Sequence, residues 1–261
     1  MGAYDFNQNL EHIFDRTERL LGSEAMRRLT TIRVILFGVG GVGSWCAESL
    51  VRTGICHLTI VDADHVCESN VNRQLMATVS TIGMSKVEAM RTRLLSINPD
   101  AEITAIDRQY TSQTAPSFCI GDYDYVIDAI DSLADKAHLI LYATQVGKEN
   151  GHTCLFSSMG AALRTDPFSI RQAEFWRVKG DPLARALRQR YKRMGEFPAM
   201  KFQCVYSEQA PLENLGDTSD RLNPDFGKVH INGSLSHVTM MFGAALAGMV
   251  INRVYSLQNL S

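Results

Sequence analysis

The chain has 261 residues, 45% of them hydrophobic and 21% charged, which fits a globular fold and excludes a disordered, collagen-like or coiled-coil chain. Its 26 Lys and Arg stand against 28 Asp and Glu, a formal net charge of −2, so it does not bind nucleic acid by bulk charge. The six cysteines (46, 56, 67, 119, 154 and 204) contain no CxxC pair, which excludes a zinc ribbon and suits free thiols in a reducing compartment.

The start, MGAYDFNQNLEHIF, has no basic stretch followed by an apolar core, so no signal peptide is expected and the location expected is cytoplasmic. Residues 7–30 predict a helix, with apolar Leu10, Ile13, Phe14, Leu20, Leu21, Met26 and Leu29. Val34 to Phe37 is a short apolar run, as expected of a strand buried on both faces, and GVGGVG (38–43) ends it. Trp45 to Arg52 reads as a helix, His57 to Val61 as a second strand ending at Asp62-Ala-Asp64, and Ser85 to Ile97 as an amphipathic helix stopped by Asn98-Pro99. Ala101 to Ile106 and Tyr123 to Ala129 are further strands, Leu133 to Lys148 a helix, and His152 to Phe156 a fifth strand. This alternation predicts an α/β, Rossmann-like, mostly parallel sheet with helices on both faces, and ligand sites just past the strands.

Beyond residue 160, Phe168 to Phe175 and Lys201 to Tyr206 read as strands. Asp181-Pro182 opens a helix through Met194, and residues 207–228 read as a long loop. Between Lys228 and Arg253 lie 24 uncharged residues, close in length to a membrane span. Their His, Asn and Ser content, and the short Gly/Ala/Met-rich part from Val238 to Ile251, favour a buried helix without stable membrane insertion. The expected organisation is an N-terminal helical arm (1–30), a nucleotide-binding domain (31–160) and a C-terminal α/β extension (161–261) that completes the fold.

Gly38, Gly40 and Gly43 satisfy GxGxxG between a strand and a helix, where backbone amides and a helix N-terminus face phosphate oxygens. Asp62, ending the second strand, is placed to accept ribose hydroxyls of either NAD or ATP. The run Asp62-Ala-Asp64…Asn70-Val-Asn72-Arg73-Gln74 is unexpected for an oxidoreductase, as is Gly83-Met-Ser-Lys86 after it. Arg73 and Lys86 can neutralise a triphosphate, and Asp131 of Asp128-Ala-Ile-Asp131-Ser132 can hold Mg²⁺. Together these groups suit nucleotidyl transfer from ATP. Taken singly, they are also surface charges, a helix cap and turn formers.

The series GVGGVGSW, D-x-D, SNVNRQ, G-x-S-K and DAIDS resembles the ubiquitin-activating-like adenylating enzymes over residues 12–160. That resemblance implies acyl-adenylate formation. It assigns Gly38, Gly40, Gly41 and Gly43 to the nucleotide loop and Asp62 to the ribose, with Asp64 close by. It puts Asn70, Arg73, Gln74 and Lys86 at the phosphates and makes Asp131, with Ser132 beside it, the Mg²⁺-linked acid. It further implies a homodimer in which an N-terminal arginine, Arg16 or Arg19, reaches the partner's ATP.

The missing CxxC pairs separate the chain from relatives that activate sulfur carriers through a zinc domain, so no zinc is expected. The TGI and INPD segments, VIDAIDS, the GDPLARALRQRYKR helix and CVYSE at 204–208 are similar to the tRNA threonylcarbamoyladenosine dehydratase branch. What this implies is ATP-dependent cyclisation of that side chain, beside the anticodon, with AMP released. A monovalent cation and a cysteine desulfurase partner also belong to what the resemblance implies. Residues 160–201 carry ten Lys and Arg against four acids, net +6, which leaves −8 for the rest. Such a basic segment is the footprint of RNA phosphate binding, and its candidates are Arg177, Lys179, Arg185, Arg188, Arg190, Lys192 and Arg193. Arg164 is counted in the same segment. Trp176 and Phe175 either stack on a base or pack in the core, and Cys204 is either a nucleophile or a buried thiol. Competing readings are an activator of a ubiquitin-like or sulfur-carrier protein, an NAD-dependent oxidoreductase, and a non-catalytic RNA-binding module.

Overall fold

The computed structural model describes residues 12–215 and 232–257, together with the backbone of 221–223 and 227–229. Its centre is β1 (Arg33–Phe37), whose alternate side chains go to opposite faces of the sheet. Val34 and Leu36 enter one apolar cluster and Ile35 and Phe37 the other, which is why this run is apolar without alternation. Around it lie β2 (His57–Val61), β3 (Glu102–Ile106), β4 (Tyr125–Asp128) and β5 (Cys154–Ser158). The sheet order is β3-β2-β1-β4-β5-β7-β6, where β6 is Ile170–Glu174 and β7 is Gln203–Ser207. Every neighbouring pair is parallel except β6 with β7. The C-terminal third therefore supplies two strands of the same sheet.

Helices α3 (Gly43–Thr53) and α4 (Lys86–Ile97) cover one face, and α5 (Leu133–Asn150) and α6 (Pro182–Met194) the other. The expected N-terminal helix over 7–30 is split: α1 (Asp15–Leu21) and α2 (Ser23–Thr31) meet at Gly22, whose φ of +83° leaves the helical region. Residues 7–11 of that expectation lie outside the described residues. The strand expected from Phe168 starts at Ile170, because the Asp166 carboxylate caps a short 3₁₀ turn over Pro167–Ser169. The loop expected over 207–228 contains part of an antiparallel pair, β8 (Arg221–Asn223) with β9 (Gly227–Val229); residues 216–220 and 224–226 lie outside the described residues.

The last helix, α7 (Ser236–Leu257), runs longer than expected at both ends. The Ser236–Ser256 stretch, mean hydropathy 1.3, is the one span among the described residues long and apolar enough to cross a membrane, and half of it is buried. Val238, Phe242, Leu246, Val250 and Val254 form its buried stripe, which joins the α3 cluster. Contact is closest at Gly243, where a β-carbon would stand 2.5 Å from the Val42 carbonyl oxygen and 2.8 Å from the Cys46 nitrogen. The chain just past the glycine loop is thus clamped by α7. Gly243→Val is expected to cost about 1–3 kcal/mol through overpacking. Gly248→Ala, whose β-carbon meets nothing within 4 Å, is expected to be neutral or stabilising. Urea unfolding of the two variants measures the difference.

Candidate nucleotide and tRNA site

The strand order reverses between β1 and β4, so a crevice opens past their carboxyl ends. The glycine loop fills that place because two side chains are missing. A β-carbon on Gly38 (φ +89°) would stand 2.7 Å from the Ala129 carbonyl oxygen, and one on Gly43 would overlap the Gly38 carbonyl oxygen. With both absent, the loop passes under the end of β4, and the N-terminus of α3 faces the crevice with its open amides. A β-carbon on Gly41 would lie 3.2 Å from Thr239 of α7 and 3.3 Å from Arg73, and Gly40 lies over the Gln74 amide.

Asp62 ties the end of β2 to this loop. Its Oδ2 accepts from the Val39 amide (2.7 Å) and its Oδ1 from the Asp64 amide (2.9 Å), which leaves lone pairs on both oxygens for a further donor. Burial pushes its carboxyl above the ordinary range, and the Lys86 charge and the two amides pull it back. Lys86 is buried, with Nζ 2.6 Å from Asp64 Oδ2 and 4.0 Å from Asp62 Oδ1. Its position is fixed by a short antiparallel contact between the segments after β2 and before α4: His65 pairs with Ser85, and the Lys86 amide donates to the Asp64 carbonyl.

The SNVNRQ run folds back over α3. Asn70 is buried and its Oδ1 accepts from the Cys67 amide, so its side chain shapes the turn. Arg73 Nη1 donates to the Ser69 carbonyl (2.7 Å) and Asn72 Oδ1 (3.1 Å), while its own carbonyl accepts from the Trp45 indole. Gln74 is buried under the loop, and its Oε1 has no partner. Asp131 and Ser132 are exposed at the carboxyl end of β4, and Ser132 stands just before α5 with no side-chain capping bond. The structure therefore gathers Gly38–Gly43, Asp62, Asp64, Asn70, Arg73, Gln74, Lys86, Asp131 and Ser132 along one sheet edge. Arg16 and Arg19 do not join them. Both are exposed on α1, whose Phe14 neighbour packs beside Gly54 at the opposite end of α3, roughly 16 Å away for an eleven-residue helix.

A buried group under Asp131 escapes the motif reading. Asp128 and Lys136 are fully buried and lie 2.8 Å apart. Ser157 Oγ donates to Asp128 (2.6 Å), the Ile130 amide does so too (3.1 Å), and Lys136 Nζ donates to the Ile130 carbonyl (2.9 Å). This network fixes the backbone that presents Asp131. The sequence signal is Lys136 falling on the same face of α5 as Ala137, Ile140 and Thr144. Cys204, in β7 between β5 and β6, is buried, and desolvation pushes its thiol well above the ordinary range although Lys136 pulls the other way. Of the two readings of Cys204, this environment fits the buried thiol.

The basic segment is less uniform than its charge count. Arg177, Lys179, Arg185, Lys192 and Arg193 are exposed. Arg188 is half-buried, donates to the Phe175 and Val178 carbonyls (3.0 Å each) and covers the Phe175 ring, so it holds the fold together. Arg190 is half-buried and Arg164 is buried against Asp181. Phe175 is core, whereas Trp176 is 41% exposed beside Phe197. Asp181 caps α6 and accepts from the Gly160 amide, so the basic helix starts at the same sheet edge as the crevice.

Residues 14–259 match the ThiF family. The chain is 34% identical to tRNA threonylcarbamoyladenosine dehydratase of Bacillus subtilis, covering 92% of this chain and 91% of that one. It is 37% identical to the Escherichia coli dehydratase, covering 76% and 74%. The crystal structure of the E. coli dehydratase TcdA with AMP superposes with a TM-score of 0.84 at 31% identity, over 99% of this chain and 100% of that one; its complex with ATP gives 0.82.

Breaking the buried pair with Lys136→Met, which leaves Asp128 uncompensated, is expected to cost about 3–5 kcal/mol. Adding Asp128→Asn is expected to recover part of that loss, and denaturant unfolding of the single and double variants reads it.

Proposed function

The chain belongs to the ThiF family, and from that membership we infer that it is an ATP-dependent tRNA threonylcarbamoyladenosine dehydratase. The observation that carries this reading is the meeting of a glycine loop, an acidic strand end with a buried lysine, and Asp131 on one sheet edge. The chain that holds them matches dehydratases over nearly its whole length. The substrate carboxylate attacks the α-phosphorus of ATP and pyrophosphate leaves. A group of the same side chain then attacks the acyl-adenylate and expels AMP, so a ring closes and water is removed overall. The second step is intramolecular, so proximity supplies much of its rate and no enzyme nucleophile is required.

The glycine loop and the α3 N-terminus hold phosphate oxygens, and Asp62 takes the ribose. Arg73 and Lys86 offset the phosphate charge, Lys86 exchanging its Asp64 contact for a phosphate oxygen. Mg²⁺ fits this donor set, because that ion binds through one or two carboxylates and substrate phosphates, and Asp131 is an exposed carboxylate at the crevice. Bound there with the nucleotide, it offsets charge on the phosphates. No group of three or more His, Cys, Asp or Glu able to hold a metal by itself occurs among the described residues.

We read residues 31–160 as the adenylating part, 161–261 as its tRNA-facing extension with Arg177, Lys179, Arg185, Lys192 and Arg193 on the backbone, and 1–30 as an arm. The arm's position supports a homodimer, since Arg16 and Arg19 lie at the end of α3 remote from their own glycine loop. The substrate puts the enzyme in the cytoplasm, in keeping with six free cysteines.

Nucleosides from tRNA incubated with protein and ATP test the reading by mass spectrometry. Loss of one water from threonylcarbamoyladenosine, with AMP formed, is the expected result. Asp131→Ala is expected to lower turnover by roughly 100-fold or more while tRNA affinity stays near wild type. Mixing that variant with a chain carrying Arg16→Ala and Arg19→Ala is expected to restore about a quarter of wild-type activity, as random pairing of two-fold dimers with an arginine acting in trans requires.

A further inference from the structure

The loop after β5, residues 159–165, lies on the same sheet edge as the glycine loop and contains a buried cation that the reading above leaves without a task. Arg164 is 2% exposed. Its Nη2 lies 3.7 Å from Asp181 Oδ2, too far for a hydrogen bond, and its Nε and Nη1 have no acceptor. The Asp181 oxygens accept from the Ala184 and Gly160 amides, which hold the carboxylate at this distance from Arg164. Donors on both edges of one buried guanidinium are thus uncommitted, which is rare unless a ligand uses them.

The backbone around Arg164 is set up for a contact. Leu163 has a φ of +59°, a left-handed conformation seldom adopted by a residue with a branched side chain. Its amide donates to the Gly233 carbonyl and its carbonyl accepts from the Leu212 amide, both at 2.9 Å. On the other side of Arg164, the Thr165 carbonyl meets His237 Nε2 (2.9 Å). The same 233–239 segment reaches the nucleotide loop: Asn72 Nδ2 donates to the Ser234 carbonyl (3.0 Å) and Thr239 lies against Gly41. One strap therefore joins the Arg164 loop to the phosphate end of the crevice.

We propose that Arg164 is a substrate-binding residue whose uncommitted N–H groups take an oxyanion of the tRNA, entering as the strap contacts at Leu163 and Thr165 loosen. This rests on the dehydratase reading. The oxyanion is either the carboxylate of the threonylcarbamoyl group or a backbone phosphate beside it. Both present a pair of anionic oxygens that a guanidinium fork can take bidentately.

The test uses the full chain and Arg164→Met, with Arg164→Lys as the conservative variant, after wild-type AMP formation on modified tRNA has been measured. Failure of that first measurement overturns the dehydratase reading itself. With active wild-type protein, affinities for modified and unmodified tRNA are compared, along with ATP affinity and thermal unfolding. Arg164→Met is expected to weaken binding of modified tRNA by about tenfold or more, the size of a lost charged hydrogen bond, with ATP affinity unchanged and partial rescue by Arg164→Lys. Loss confined to modified tRNA identifies the carboxylate; equal loss for both tRNAs identifies a phosphate. Unchanged affinity for both, whether or not unfolding shifts, overturns the proposal and leaves Arg164 a structural residue. Should Arg164→Met not fold, the same comparison on Arg164→Lys decides.

Discussion

Two missing β-carbons hold the arrangement together. The carbonyl of Gly38 occupies the volume a side chain on Gly43 would need, and the end of β4 occupies the volume a side chain on Gly38 would need. Everything else in the crevice is arranged around that close backbone approach. The Asp62 carboxylate reaches the Val39 amide only because the loop turns there, and α3 starts with its amides facing the crevice for the same reason. Gly243 repeats the device from outside, letting α7 settle on the first turn of α3.

Around this frame, buried charges are paired, with a buried partner at Asp128–Lys136 and with exposed ones at Glu48 (Arg52 and Arg93) and Lys86 (Asp64). Asp128 with Lys136, Glu48 with Arg52 and Arg93, and Lys86 with Asp64 each give a carboxylate a cation within 3 Å. Buried pairs are weak evidence for stability, because desolvation offsets most of their attraction. What they supply is position. Asp128 and Lys136 hold the turn that carries Asp131, and Glu48 bridges α3 to α4. Arg164 stands apart as a buried cation only loosely matched by its carboxylate.

Much of this was legible in the sequence. The apolar runs at β1, β2 and β4 and the glycine loop marked the sheet and its ligand edge, since a strand buried on both faces needs an uninterrupted apolar run. Asp181-Pro182 gave the start of α6 to the residue, because cap chemistry is local. What stayed hidden was non-local. A +6 count over 160–201 could not tell that Arg164 is buried and Arg188 ties carbonyls, since burial depends on which strand the segment joins. Nor could it tell that β7 would sit between β5 and β6, which is what encloses Cys204. The break at Gly22 was a local signal overridden by the apolar spacing on either side.

The place of α7 has a consequence for the chain as it is made. Thr239 and Gly243 floor and clamp the glycine loop, yet they are synthesised some two hundred residues after it. While the ribosome is still making the strands of the C-terminal third, the glycine loop lacks one of its walls. A nascent chain can complete its central strands early, but it cannot present a finished phosphate cradle until α7 has left the exit tunnel. The phosphate cradle is thus among the last parts of the fold to be completed, although its glycines are among the first residues made.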